Sequence, residues 1–332
     1  MRLPSEWESQ EFVQLTFPHA DTDWCPLLKD VLSCYREMAK AITRHEPLLV
    51  VASDIELAQR TLKGLERISY VHCPTNDTWA RDHGFITCKE GDERLFMDFQ
   101  FNGWGLKFAS NYDNQINQSL WASNLLKGKY VNHKEFVLEG GSIESDGAGT
   151  ILTTSSCLLA PNRNNLFTKE AIEERFVKYF DAERVLWLDH GYLAGDDTDG
   201  HIDTLARLCP NDTIAYMACE DMQDEHYQEL HLMEEELKSF LTTDGNPYKL
   251  VGLPLPSPIY DGDDRLPATY ANFLIINGAV LCPTYGQTEK DRTAMTCLQA
   301  IFPDREIIGI DCRVLIRQHG SLHCCTMQYP SK

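Results

Sequence analysis

The chain has 332 residues, 43% of them hydrophobic, enough to bury a large core in one or two domains. Its 50 acidic residues against 30 Lys and Arg give a formal net charge of −20, which argues against nucleic acid or an anionic membrane surface as a partner and suits a small cation. No run approaches the roughly 18–20 apolar residues of a membrane span, and the opening Met-Arg-Leu-Pro-Ser-Glu-Trp-Glu puts charges and a proline where a secretory leader needs an apolar stretch, so a cytoplasmic location is expected.

Taken in chain order, a helical pattern over 26–43 leads into a β-branched run at 48–52. Ser53, with Glu56 three residues on, has the signature of a capping box for a second helix. Runs at 68–73 and 95–101 read as strands. The apolar triplet Phe136-Val137-Leu138 carries Glu139 to the end of a buried strand, and Asp146-Gly147-Ala148-Gly149-Thr150 reads as a hairpin turn. A helix at 168–180 precedes a strand at 185–188, and a strand at 213–218 precedes a helix at 224–241. The long run at 271–283 reads as one strand before a last helix at 289–302. This alternation marks an α/β protein, for which a doubly wound sheet is the default. However, no Gly-x-Gly-x-x-Gly fingerprint or phosphate loop supports nucleotide binding.

Twelve cysteines run irregularly from Cys25 to Cys325 with no Cys-x-x-Cys pair. At least ten read as buried structural thiols, without the paired ligands of a zinc site or a disulfide framework.

Four polar clusters interrupt the apolar pattern. Trp79-Ala80-Arg81-Asp82-His83-Gly84 has the composition of a solvated turn with an Arg–Asp pair. Glu139, between an apolar run and Gly140-Gly141, needs a buried partner, and a histidine is a natural one. Gly195-Asp196-Asp197-Thr198-Asp199-Gly200-His201-Ile202-Asp203 is rich in carboxylates but does not fit a calcium loop. On an extended segment His201 and Asp203 share one face, a base beside an anion. Gly320-Ser321-Leu322-His323-Cys324-Cys325-Thr326 supplies a cysteine which, with a distant histidine and an orienting carboxylate, meets the requirement for thiolate catalysis. A site holding Asp82, Glu139, His201, Asp203 and Cys324 has more carboxylates than acyl transfer tolerates. A guanidinium, whose N–H forks pair with carboxylates, wants them. The expected chemistry is thiolate attack on a guanidinium carbon.

These segments, with Phe101-Asn102-Gly103-Trp104-Gly105, Gly149-Thr150-Ile151-Leu152-Thr153-Thr154 and Asn162-Arg163-Asn164, are where the chain resembles the agmatine deiminases. Those are relatives of the bacterial peptidylarginine deiminases within the guanidine-modifying (pentein) superfamily, and the likeness covers nearly the whole chain. It implies a single catalytic domain over 1–332, folded as a five-bladed α/β propeller of ββαβ units with pseudo-fivefold symmetry. It also implies Cys324 as nucleophile, His201 as general acid and base, Glu139 orienting His201, and Asp82 and Asp203 clamping the guanidinium. Trp79, Asp196 and Asp197 would line the rest of the substrate.

No cofactor or metal is implied. The expected partner is a small cationic guanidine, not nucleic acid or membrane, with room for a homodimer. Phe85, His319 and Met327 stand where the family commonly has Pro, Gly and Gln, which bears on the shape of the pocket. Cys325 is expected to be buried filler. The alternatives are deimination of free or peptidyl arginine, amidino transfer, a metal-dependent hydrolase, and a guanidine- or polyamine-binding protein without catalysis.

Overall fold

The computed structural model describes residues 1–165 and 167–332. It is a mixed α/β fold of several small sheets, not a doubly wound one, and a single strand pattern recurs in five of them. Ile86–Glu90 runs antiparallel to Glu93–Gln100, which runs parallel to Lys129–Val137. The same antiparallel-then-parallel order joins Ile143–Ser145, Thr150–Thr154 and Arg184–Leu188. It recurs in Ala206–Cys209, Thr213–Ala218 and Lys249–Pro254, and again in Leu274–Ile276, Ala279–Thr284 and Glu306–Asp311. In the remaining sheet the antiparallel strand comes from the far end of the chain. Thr326–Pro330 pairs with Gln10–Thr16, which lies parallel to Leu48–Ala52, itself parallel to Ile68–His72. The two ends of the sequence are thus tied into one sheet.

A parallel pair needs a long crossover, and in each unit a helix supplies it. Leu28–His45 is the longest, and it buries Val31, Cys34, Tyr35, Met38, Ala39, Ala41 and Ile42, the i, i+3, i+4 stripe expected of a helix laid on a sheet. The strand it feeds, Leu48–Ala52, is buried along its whole length, as parallel strands covered on both faces are. Lys169–Phe180 starts where Thr168 accepts a hydrogen bond from the Ala171 amide, so the expected start of this helix holds.

Two sequence expectations need correction. The capping residue of helix Ile55–Thr61 is Asp54, whose carboxylate accepts from the Leu57 amide at 2.8 Å, while the Ser53 hydroxyl turns to the Cys73 carbonyl. The 271–283 run is two strands, Leu274–Ile276 and Ala279–Thr284, folded at Asn277-Gly278, where Gly278 has φ +72°. The turn opposite Glu139 is as expected: Asp146 to Gly149 connect Ile143–Ser145 to Thr150–Thr154.

The polar clusters occupy equivalent places in this pattern. Asp82 lies just before Ile86–Glu90, Glu139 before Ile143–Ser145 and Asp203 before Ala206–Cys209. Asn272 precedes Leu274–Ile276, and Cys324 precedes Thr326–Pro330. Each of these five sheets therefore contributes from the loop entering its antiparallel strand.

Candidate active site

Trp79-Ala80-Arg81-Asp82-His83-Gly84 is not a solvated turn. Ala80–His83 form one buried helical turn, and Arg81 pairs with Glu6 and Gln328, not with Asp82. Asp82 faces inward instead. Its Oδ2 accepts the Trp104 indole N–H at 2.9 Å and its Oδ1 accepts the Gly141 amide at 3.1 Å. Trp104 reaches it because Gly103-Trp104-Gly105 runs through left-handed backbone, with φ of +69°, +55° and +83°. Burial raises the Asp82 pKa to about 6, with the His201 charge pulling down and Asp203 pushing up.

His201 and Asp203 share a face, but not along an extended strand. His201 caps a 3-10 turn over Ile202–Thr204, and that turn brings both side chains round. A Cβ placed on Gly141 would sit 2.6 Å from His201 Nδ1, 2.8 Å from Asp82 Oδ1 and 3.1 Å from Asp203 Oδ2. These three groups therefore converge over the bare Cα of Gly141. Among the described residues neither nitrogen of His201 has a hydrogen-bond partner, and its nearest carboxylate is Asp82, at 3.6 Å from Nδ1. Burial disfavours the charged ring, yet the charges of Asp82 and Glu139, with the Cys157 sulfur beside it, hold its pKa up at about 10. The imidazole is a proton donor at neutral pH.

Glu139 lies just past Lys129–Val137 and is fully buried, but that strand is mostly half-buried or exposed and not the buried strand expected, and the partner of Glu139 is not the histidine. Arg163 Nε donates to its two oxygens at 2.9 and 3.2 Å, while Arg163 Nη1 and Nη2 go to Asp199 and the Thr198 carbonyl. The guanidinium satisfies a buried carboxylate more completely than one imidazole N–H would. Glu139 lies within 4.8 Å of His201 and Cys157, so it acts on the ring by charge and not by a hydrogen bond.

Cys324 is 5% exposed. Its amide and that of His323 both donate to Asn272 Oδ1, at 3.2 and 2.9 Å, which fixes the loop that carries the sulfur. Sγ lies 3.4 Å from Asn272 Oδ1 and 3.8 Å from Asp203 Oδ2. Burial first, then Asp203 and Asp82, push the thiol well above its ordinary pKa. Asp203 itself stays below the usual carboxylate range: burial opposes this, but the His323 hydrogen bond at 2.7 Å and the charges of His323, His201 and Arg207 prevail. Its buried Oδ1 has no hydrogen-bond partner among the described residues. Cys325 is fully buried beside Tyr35 and faces away from the cleft.

A cleft leads to the sulfur, lined by Trp79, Asp82, Trp104, Asp196, Asp197 and His319 among others, with Asp23 and Asp77 also in its wall. Asp196 is spent on its own loop, accepting from the Thr198 hydroxyl and the Gly200 amide at 2.6 and 2.7 Å. Asp197 keeps a freer carboxylate, 3.7 Å from His319 Nδ1, with burial raising its pKa. Of the three departures from the family pattern, only His319 lines the cleft. Its φ of +64° is backbone that glycine adopts freely, and Gly320 beside it packs flat on the Trp79 ring. Phe85 packs edge-on to Phe96 and Tyr130, and Met327 lies against Arg81, both outside the cleft. Trp104, Arg163, Asn272 and Cys157 carried no role in the sequence reading. Two of them stood in quoted motifs, and the rule that a buried carboxylate needs a cation could have pointed to Arg163.

Cys324 and Asp82 line a narrow acidic cleft, with His201 and Asp203 fully buried beside them, an arrangement suited to a cation. The chain belongs to the Porphyromonas-type peptidyl-arginine deiminase family, whose model matches residues 2–330. A solved structure from Porphyromonas gingivalis, provisionally described as an arginine deiminase, is 52% identical over 99% of this chain and 98% of its own, with a TM-score of 0.94. A cysteine-to-serine variant of C. jejuni agmatine deiminase, solved with substrate bound, is 40% identical over 99% and 96%, with a TM-score of 0.92. The agmatine deiminase of Pseudomonas savastanoi pv. phaseolicola is 31% identical over 99% of this chain and 95% of its own.

Proposed function

We propose that this protein is an agmatine deiminase, a hydrolase of guanidino C–N bonds in the linear-amidine class, releasing ammonia and N-carbamoylputrescine. The observation that carries the reading is the cleft: its wall holds the nearly buried Cys324 together with Asp82, Asp197, Asp23 and Asp77. A guanidinium at the sulfur and an amine further out both meet carboxylates, whereas the α-carboxylate of free arginine would meet like charge. Deimination of peptidyl arginine remains the second reading, because the cleft shares Asp23, Asp77 and Phe108 with a broader polar groove past His19, Thr75 and Tyr112.

In this mechanism the guanidinium docks between Asp82 and the free Oδ1 of Asp203. Its charge, with that of His201, offsets the carboxylates and lets the Cys324 thiol release its proton to solvent water. Sγ bonds to the guanidinium carbon, and the C–N bond to one terminal nitrogen breaks as His201 protonates the departing ammonia. A Cys-bound thiouronium remains. His201, now neutral, takes a proton from water; the hydroxide adds to the carbon, the C–S bond breaks as the new hydroxyl passes its proton to sulfur, and the neutral urea product leaves with the thiol restored. Asp82, Asp203, His201, Cys324 and Glu139 are the catalytic set, with Trp79, Asp196 and Asp197 toward the substrate's far end. We further infer one catalytic domain over the whole chain, its five sheets closing as a pseudo-fivefold propeller. Supporting this are the repeated strand order and the pairing of the C-terminal strand with the first.

Ammonia release from agmatine by purified protein tests the reading, beside Cys324→Ser and Cys325→Ser. Turnover is expected to vanish in the first and persist in the second. Equal loss in both would overturn the choice of nucleophile. Faster turnover of peptidyl arginine than of agmatine would favour the second reading.

A further inference from the structure

The N-terminal segment before the first strand does more than cover the molecule. Glu6 places its carboxylate behind the nucleophile loop: Oε1 is 2.8 Å from His323 Nε2 and 3.1 Å from Arg81 Nη1, and Oε2 is 2.6 Å from Arg207 Nη2 and 3.0 Å from Gln328 Nε2. The other nitrogen of His323 lies 2.7 Å from Asp203 Oδ2, and that same oxygen is 3.8 Å from Cys324 Sγ. A continuous path of contacts thus runs from residue 6 to the sulfur. We propose that Glu6 is a positioning residue of the reaction: by holding His323 it sets the orientation of the Asp203 carboxylate that receives the guanidinium. This rests on the role given to Asp203 above.

The chemistry of the ring explains why the position matters. An imidazole has two nitrogens, and a carboxylate oxygen within 2.8 Å of each favours an N–H on both, against burial and the Arg207 and Arg81 charges, which lower the ring's pKa. Arg207 Nη2, at 3.0 Å from Nε2, has only protons to offer and presses for the opposite arrangement, an unprotonated Nε2. Glu6 settles that contest by bridging them, its Oε1 accepting from the ring Nε2 and its Oε2 from Arg207 Nη2. Arg207 is itself anchored by Glu144 and by the carbonyls of Ala271 and Phe273, so it cannot retreat when Glu6 is lost. Without the Glu6 charge, Nε2 turns from donor to acceptor and the ring re-seats against Arg207. The grip on Asp203 Oδ2 then loosens. Glu6, Glu144 and His323 do cluster tightly enough to suggest a metal site, but two guanidiniums already occupy the space between them.

Binding of agmatine to full-length protein in the Cys324→Ser background, measured by calorimetry, isolates this step from turnover. Glu6→Gln, isosteric and uncharged, is expected to weaken binding about tenfold, the coupling range of residues in one polar network. Glu8→Gln, on the same segment but paired only with Arg2 and the Ser5 amide, should leave affinity unchanged. Asp203→Asn should weaken binding more, and adding Glu6→Gln to it should cost nothing further. Unchanged affinity in Asp203→Asn would remove the role given to Asp203. A loss in Asp203→Asn with none in Glu6→Gln, or with an additive loss in the double variant, would overturn the proposal for Glu6 alone. If Glu6→Gln is not recovered folded, Glu6→Asp is read by the same criteria, because it keeps charge between the arginines while withdrawing it from the ring.

Discussion

Gly141→Ala places one methyl group where the site has no room. Its backbone is not in the left-handed region, so alanine costs nothing there in conformation, and the effect falls on the neighbours. The new Cβ would lie 2.6 Å from His201 Nδ1, 2.8 Å from Asp82 Oδ1 and 3.1 Å from Asp203 Oδ2. Each must withdraw several tenths of an ångström to reach ordinary contact, and all three are buried in packed surroundings. Such overpacking costs about 1–3 kcal/mol of stability. Displacing reacting groups by about 1 Å costs roughly a hundredfold in rate, so kcat/KM should fall by about that factor in a protein that still folds. Gly140→Ala is the contrast: its Cβ would strike the Arg81 carbonyl at 2.3 Å, backbone that cannot yield, so it should impair folding first. Ammonia release from agmatine, read beside urea unfolding of each variant, separates the two. A folded Gly141→Ala with undiminished kcat/KM would refute the convergence of His201, Asp82 and Asp203 as the working arrangement.

If Asp82 must be ionised to bind substrate, kcat/KM should fall with acid through about pH 6. Trp104→Phe deletes the indole donor to Asp82 Oδ2, so the acid limb should move up by about one pH unit, and an unmoved limb would assign it to another group. Glu46, buried away from the site, has its pKa raised by burial to about 7 against an ordinary 4.5, with the Asn277 amide bond opposing. The native state therefore binds that proton more tightly than the unfolded chain, and stability is lost as pH rises from about 4.5 to about 7. The difference in unfolding free energy between Glu46→Gln and the parent should grow by about 1–3 kcal/mol across that window; a constant difference would show that Glu46 does not titrate there.

What the sequence made legible is what local chemistry controls. The apolar run before Glu139, the glycines after it and the turn at 146–149 each act through their own backbone, and all three are found where expected. The set Asp82, His201, Asp203 and Cys324 was legible because a ring of carboxylates around a thiol makes chemical sense only for a cation. Partnerships were less legible. Glu139 was paired on paper with a histidine because burial demands some partner, and nothing local says that Arg163, 24 residues on, supplies it. Glu6 and His323 are 317 residues apart and meet only because the first and last strands share a sheet. The Asn277-Gly278 turn is a different kind of miss: the strongest short hairpin signal stood in view, inside an apolar run that read as continuous.

The protonation states at this site follow from one another. Two carboxylates close to Cys324 would be a poor choice if the thiolate had to exist in the empty enzyme, because both raise the thiol pKa. They suit a nucleophile that is to remain a thiol until a cation arrives. In the proposed mechanism a guanidinium between Asp82 and Asp203 would cancel the charge that holds the proton on sulfur, so recognition and activation would become one event. The high pKa of His201 fits the same scheme: an imidazole already charged at neutral pH is ready to protonate ammonia and becomes a base only after doing so. A neutral urea product no longer compensates the two carboxylates, so completing the reaction restores the thiol and weakens the hold on what was made.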